Sequence, residues 1–132
     1  MKTVLVVDDD PEVLQYTAMT LNRGGIHAIG ASSGEEALRT YGKRKREIKL
    51  VLTDIIMPQS TGIELALAIL AYDPKIPIVY MTGYKTDHKE QFGPALEGHE
   101  LLGKPFTPEE LLSVVRRALH ITVPIERAAA TD

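Results

Sequence analysis

The chain has 132 residues, 44% of them hydrophobic and 25% charged, which suits one water-soluble domain with a full-sized core. A formal net charge of −3 argues against a nucleic-acid-binding surface. With no cysteine, disulfides, thiolate metal sites and cysteine nucleophiles are excluded, and a reducing, cytoplasmic setting is expected. No apolar run approaches the roughly 18 residues of a membrane helix, and Met1-Lys2 leads straight into a strand pattern without signal-peptide organisation.

Short apolar runs alternate with longer amphipathic ones. "TVLVV" (Thr3–Val7) is rich in β-branched residues and reads as a buried strand ending at acids. Asp10-Pro11 offers an N-cap followed by proline at the first helical position. Val13, Leu14, Thr17, Ala18 and Leu21 supply that helix's apolar face, and Gly24-Gly25 stops it. "IHAIGA" (Ile26–Ala31) is a second, weaker strand. Ser33 and Glu36 form a capping box that opens a helix running to about Lys43. The run "KRKRE" (Lys43–Glu47) reads as the exposed end of that helix, with cations placed favourably at its C-terminus.

"KLVLT" (Lys49–Thr53) is a third strand. A second capping box, Thr61 and Glu64, opens a helix whose core face is expected to hold Ile63, Leu67 and Leu70. "IPIVYMT" (Ile76–Thr82) is a fourth strand with its proline at the start. Residues 86–96 form a poor helix, interrupted by Gly93-Pro94. "ELLG" (Glu100–Gly103) is a short fifth strand. Thr107-Pro108-Glu109-Glu110 caps a last helix with Leu111, Val115, Ala118 and Leu119 at helical spacing. Residues 1–121 make one domain, and 122–132 ("TVPIERAAATD") read as a tail or the start of a linker. The four histidines are scattered, without metal-ligand spacing.

Five strand–helix units imply an α/β fold with a parallel sheet and right-handed crossovers, covered on both faces. Sites in such sheets lie at the carboxyl ends of the strands. The first strand ends in Asp8-Asp9-Asp10, the third in Asp54, the fourth in Thr82 and the fifth in Lys104-Pro105, whereas the second ends in an inert Ala31-Ser32. If the strand order is 2-1-3-4-5, carboxylates from two neighbouring strands converge. Their repulsion calls for a hard divalent cation, and magnesium prefers oxygen ligands while keeping waters that a phosphate can replace. A lysine and a hydroxyl opposite suit a phosphoryl group.

The segments "VLVVDDDP" (Val4–Pro11), "LTDIIMP" (Leu52–Pro58), "YMTG" (Tyr80–Gly83) and "KPF" (Lys104–Phe106), in this order and each at a strand end, resemble the receiver domain of two-component response regulators over about Lys2 to Leu119. The resemblance implies a flavodoxin-like doubly wound three-layer sandwich with strand order 2-1-3-4-5. It implies that Asp54 takes a phosphoryl group from a phosphohistidine on a histidine kinase or histidine phosphotransfer protein. Asp8 and Asp9 would hold Mg2+, with Asp9 the direct ligand, while Asp54 and the backbone carbonyl of Ile56 share the ion. Lys104 would pair with the phosphoryl oxygens, Thr82 would act as the switch hydroxyl, and the Lys104–Pro105 peptide bond would be cis. The output would go to an unspecified downstream protein, with no nucleic-acid or membrane contact by this chain, as a monomer or a phosphorylation-linked dimer.

Leu101 departs from the family pattern, which has Tyr or Phe three residues before the lysine; its readout role would pass to another residue such as Tyr80 or Tyr84. Bulky Ile56 and Tyr84, two residues past Asp54 and Thr82, are expected to hinder an attacking water and slow loss of the phosphoryl group. A free-standing regulator and a module of a hybrid histidine kinase both fit the chain. A phosphatase of the haloacid dehalogenase type fits less well, because within residues 1–121 only Glu109 and Glu110 follow the lysine and they lie at a helix start. A flavin mononucleotide carrier is disfavoured by the acidic loop after the first strand, and a receiver-like module that is never phosphorylated by the intact Asp54, Thr82 and Lys104.

Overall fold

The computed structural model describes residues 2–83 and 93–119. Its elements in chain order are β1 (Thr3–Val7), α1 (Pro11–Arg23), β2 (His27–Ala31), α2 (Gly34–Arg44), β3 (Ile48–Asp54), α3 (Gly62–Leu70) and β4 (Ile78–Thr82). Residues 93–96 are helical (α4), and β5 (Glu100–Gly103) and α5 (Pro108–Ala118) follow. The five strands pair in parallel in the order β2-β1-β3-β4-β5, the doubly wound arrangement expected. Among the described residues, no helix is long and apolar enough to cross a membrane.

Alternation along each strand sends neighbouring side chains to opposite faces of the sheet. Leu5, Val7, Val51, Ile78 and Tyr80 join one core with Ala37 and Tyr41 of α2 and Ala66 and Ile69 of α3. Val4, Val6, Leu50, Leu52, Val79 and Met81 join the other with Leu21 of α1 and Leu111 and Val115 of α5. A sheet buried on both faces explains why the strand sequences are apolar throughout rather than alternating.

The helix starts follow their caps. Asp10 accepts hydrogen bonds from the Glu12 and Val13 amides. Thr61 with Glu64 and Thr107 with Glu110 close full capping boxes. At α2 the box is only half formed: Ser33 accepts from the Glu36 amide, but the Glu36 carboxylate reaches back to the amide and hydroxyl of Ser32. Those two bonds hold the Glu36 carboxyl below its ordinary pKa. At the end of α1 Gly25 has φ +83°, which a glycine adopts freely.

Two further expectations are corrected. Leu67 does not share the core face of α3: it is 64% exposed, and Ile63, Leu65, Ala66 and Ile69 face inward. The helix GIELALAIL is apolar nearly all round, so spacing alone could not select its buried side. Strand β4 starts at Ile78, with Pro77 just before it offering only its carbonyl, which accepts from the Val51 amide at 3.1 Å. Residues 93–96, which include the Gly93-Pro94 pair, are helical; residues 86–92 of the helix expected to be interrupted there, and the expected tail 122–132, lie outside the described residues.

Candidate phosphoryl-acceptor and metal site

Parallel strand order places the ends of β1 and β3 side by side, with Val7 opposite Thr53, so the acids that follow converge. Carboxylate oxygens of Asp8, Asp9 and Asp54 lie within 4.8 Å of one another. They differ in setting. Asp8 is fully buried, and both its oxygens are engaged: Oδ1 accepts from the Asp10 amide at 2.9 Å and Oδ2 pairs with Lys104 Nζ at 2.7 Å. Asp9 is exposed, and its carboxylate has no hydrogen bond or ion pair among the described residues. Asp54 is partly buried and lies 3.2 Å from Lys104 Nζ.

Lys104 thus bridges two of the three carboxylates. Its position comes from β5, whose pairing with β4 sets Gly103 opposite Thr82, and from its own amide, which donates to the Thr82 carbonyl at 2.8 Å. Thr82 is buried at the end of β4. The Lys104–Pro105 bond is cis. Burial by itself would lower the lysine pKa, but the bond to Asp8 and the field of Asp54 outweigh it and raise the value. Asp54 shows the converse. Burial raises its pKa, Lys104 pulls it back, Asp8 and Asp9 push it up, and the net direction is up.

One ammonium among three carboxylates leaves the cluster net negative. All its donors are hard oxygens, and a divalent ion that accepts a few carboxylates and keeps waters suits them. Asp9 has free oxygens to offer. Asp8 already accepts from one donor on each oxygen. Ile56 follows Asp54 in the β3–α3 connection, 46% exposed, and pairs with Thr61 in an isolated bridge.

Two residues that hold the Asp54 backbone escaped the motif reading. The Thr53 hydroxyl, fully buried, donates to the Asp54 carbonyl at 3.0 Å. Gly62 lies so close that a Cβ there would collide with the same carbonyl oxygen. The only trace of this in the sequence is a glycine at the first position after the Thr61 cap. Of the tyrosines expected to replace an aromatic at Leu101, Tyr80 is buried in the α2–α3 core, edge-on to His99 at 5.7 Å; burial pushes its hydroxyl pKa up to about 12. Leu101 is partly buried against the same core. Tyr84 lies outside the described residues.

The model of the response regulator receiver domain family matches residues 4–116. The response regulator receiver protein CpdR of Brucella abortus is 30% identical over 120 residues, 90% of this chain and 98% of CpdR. Response regulator GtcR of Aneurinibacillus migulanus is 30% identical over 135 residues, 99% of this chain but 54% of its own length. The chain therefore spans about half of GtcR and nearly all of CpdR. Among solved structures, the chemotaxis protein CheY4 of Vibrio cholerae superposes with a TM-score of 0.81 at 32% identity, covering 89% of this chain and 98% of CheY4.

Proposed function

The chain belongs to the response regulator receiver domain family, and on that premise we propose that Asp54 is its phosphoryl acceptor in a phosphorylation-dependent signalling switch. The observation that carries this reading is the single half-buried carboxylate at the end of β3, held 3.2 Å from Lys104 beside two further acids. An Asp54 oxygen attacks the phosphorus of a phosphohistidine on a histidine kinase or phosphotransfer protein. The new O–P bond forms as the P–N bond breaks, and the departing imidazole nitrogen keeps the electron pair and takes a proton.

Asp8, Asp9, Asp54 and the Ile56 carbonyl would hold Mg2+, which when bound neutralises charge on the phosphoryl oxygens. Asp9, whose oxygens are free, is the direct ligand. Lys104 leaves Asp54 for a phosphoryl oxygen, and Thr82 closes on the group from β4. The exposed Tyr16 and the nearby Phe106 flank Lys104 with an apolar surface on which the donor can rest. Ile56, at the rim, shields the product from water. The domain is the whole of residues 1–121.

Incubation with Mg2+ and acetyl phosphate tests this. We expect one acid-stable, base-labile phosphoryl adduct, mapped by mass spectrometry to Asp54 and absent in Asp54→Asn. Continuous phosphate release with no adduct would favour a phosphatase and overturn the reading, as would an adduct that survives Asp54→Asn.

A further inference from the structure

A cleft of about 490 Å3 opens beside the carboxylate cluster, between the start of α2 and the β3–α3 connection. Its size falls within the range of sites that bind whole side chains or small ligands. The floor is apolar, formed by Leu38, Met57 and Leu65, and Leu38 is left 40% exposed. The rim carries Asp9, Glu35 and Glu64, and among the described residues no lysine or arginine lines it. The two walls meet where Gly34 faces Ser60: a Cβ at Gly34 would stand 2.8 Å from the Ser60 hydroxyl oxygen, so glycine lets the walls close there.

The sign of the charge inside decides what fits. Helices α2 and α3 both begin at the cleft, and each helix start contributes about half a positive charge. Three carboxylates exceed that sum. They are also available. Asp9 has no partner among the described residues. Glu35 is tied only to Arg39 at 2.8 Å, with both side chains mostly exposed, an i,i+4 pair of small energy. Glu64 spends one oxygen on the Thr61 cap and keeps the other.

We propose that this cleft docks a segment of a partner protein in which a basic residue stands beside a large aliphatic one. The aliphatic side chain, and the methylene stem of the lysine or arginine, lie on Leu38, Met57 and Leu65, while the cationic head reaches the acidic rim. Asp9 belongs to both the cleft and the carboxylate cluster, so a divalent ion and the segment oppose each other, and by linkage each weakens the other. This last clause rests on the metal role proposed above for Asp9; the docking itself does not.

The test is an amide-shift NMR titration with a synthetic peptide of paired Arg and Leu residues. Three controls accompany it: Glu in place of Arg, Ser in place of Leu, and ethylguanidinium alone. Shifts are expected at residues 33–38 and 57–65. Affinity should fall severalfold in Leu38→Glu and in Glu35→Lys, both of which should still form the Asp54 adduct with acetyl phosphate. Shifts spread over other acidic surfaces, or affinity unchanged by both substitutions, would overturn the proposal. So would a Ser-for-Leu peptide, or ethylguanidinium, binding as tightly as the Arg-Leu peptide. Saturating Mg2+ should weaken the peptide severalfold in the native chain and not in Asp9→Asn; equal weakening in both would overturn the shared role of Asp9. Loss of the adduct in the native chain would count against the acceptor reading alone.

Discussion

Burial and neighbouring acids raise the pKa of Asp54 above the ordinary 3.8. A group whose folded pKa lies above its unfolded value holds its proton more tightly when folded, so its ionisation costs stability. That cost is fully present above the folded pKa and disappears as pH falls below the unfolded value. In metal-free buffer at neutral pH, Asp54→Asn is therefore expected to melt a few degrees higher than the native chain, with the gain shrinking as the pH is lowered toward 4. Lys104 keeps its 2.7 Å partner Asp8 in that variant. A lower melting temperature at neutral pH would mean that the lysine pair, not burial, dominates. A second residue-scale case is Thr17. It is fully buried on α1, and its hydroxyl has no hydrogen-bond partner among the described residues. An unpaired buried hydroxyl costs about 1–3 kcal/mol, so Thr17→Val, equal in shape, should raise stability by about 1 kcal/mol in urea denaturation.

At the scale of elements, the site depends on how closely the start of α3 approaches the end of β3. The Gly62 amide donates to the Ile55 carbonyl at 2.7 Å, and the missing Cβ leaves room for the Asp54 carbonyl. Gly62→Ala pushes against main chain, which cannot swing aside as a side-chain tip can. We expect a loss of about 1–3 kcal/mol, the usual range for overpacking, together with slower adduct formation, because the displaced segment carries Asp54. Calorimetry and the acetyl phosphate reaction measure the two effects. Full stability with a native rate would show that α3 shifts as a unit. Gly24 makes a useful contrast, since a Cβ there would meet only the flexible end of Leu112.

For the whole molecule, three strands deliver Asp8, Asp9, Asp54 and Lys104 to one edge, and that gathering does not exist in the unfolded chain. A divalent ion held there binds the folded state alone and stabilises it by about 2.7 kcal/mol at a concentration a hundred times its dissociation constant. For a domain of this size that corresponds to a rise of roughly 10 °C in melting temperature. Mg2+ should therefore raise the melting temperature of the native chain, EDTA should reverse the rise, and Asp9→Asn should lose most of it. A shift that survives Asp9→Asn would place the ion elsewhere.

The amino-acid sequence by itself determined the alternation of strands and helices, the cap residues Asp10, Ser33, Thr61 and Thr107, and the polar strand ends at Asp8, Asp54, Thr82 and Lys104. These are local signals: a cap or a strand end is written within a few consecutive residues. The buried side of α3 was not legible, because an all-apolar helix has no preferred face until a sheet is set against it, and Leu67 accordingly points outward. Nor were the Thr53 and Gly62 supports of Asp54, since each acts through a backbone contact that exists only after β3 and α3 have packed. The tertiary structure alone decided which acid is buried and paired and which is left open. Asp8 and Asp9 are neighbours in sequence, but strand alternation buries one against Lys104, 96 positions away, and leaves the other facing outward. That difference, made by packing and not by residue type, leaves Asp9 open to both the carboxylate cluster and the neighbouring cleft.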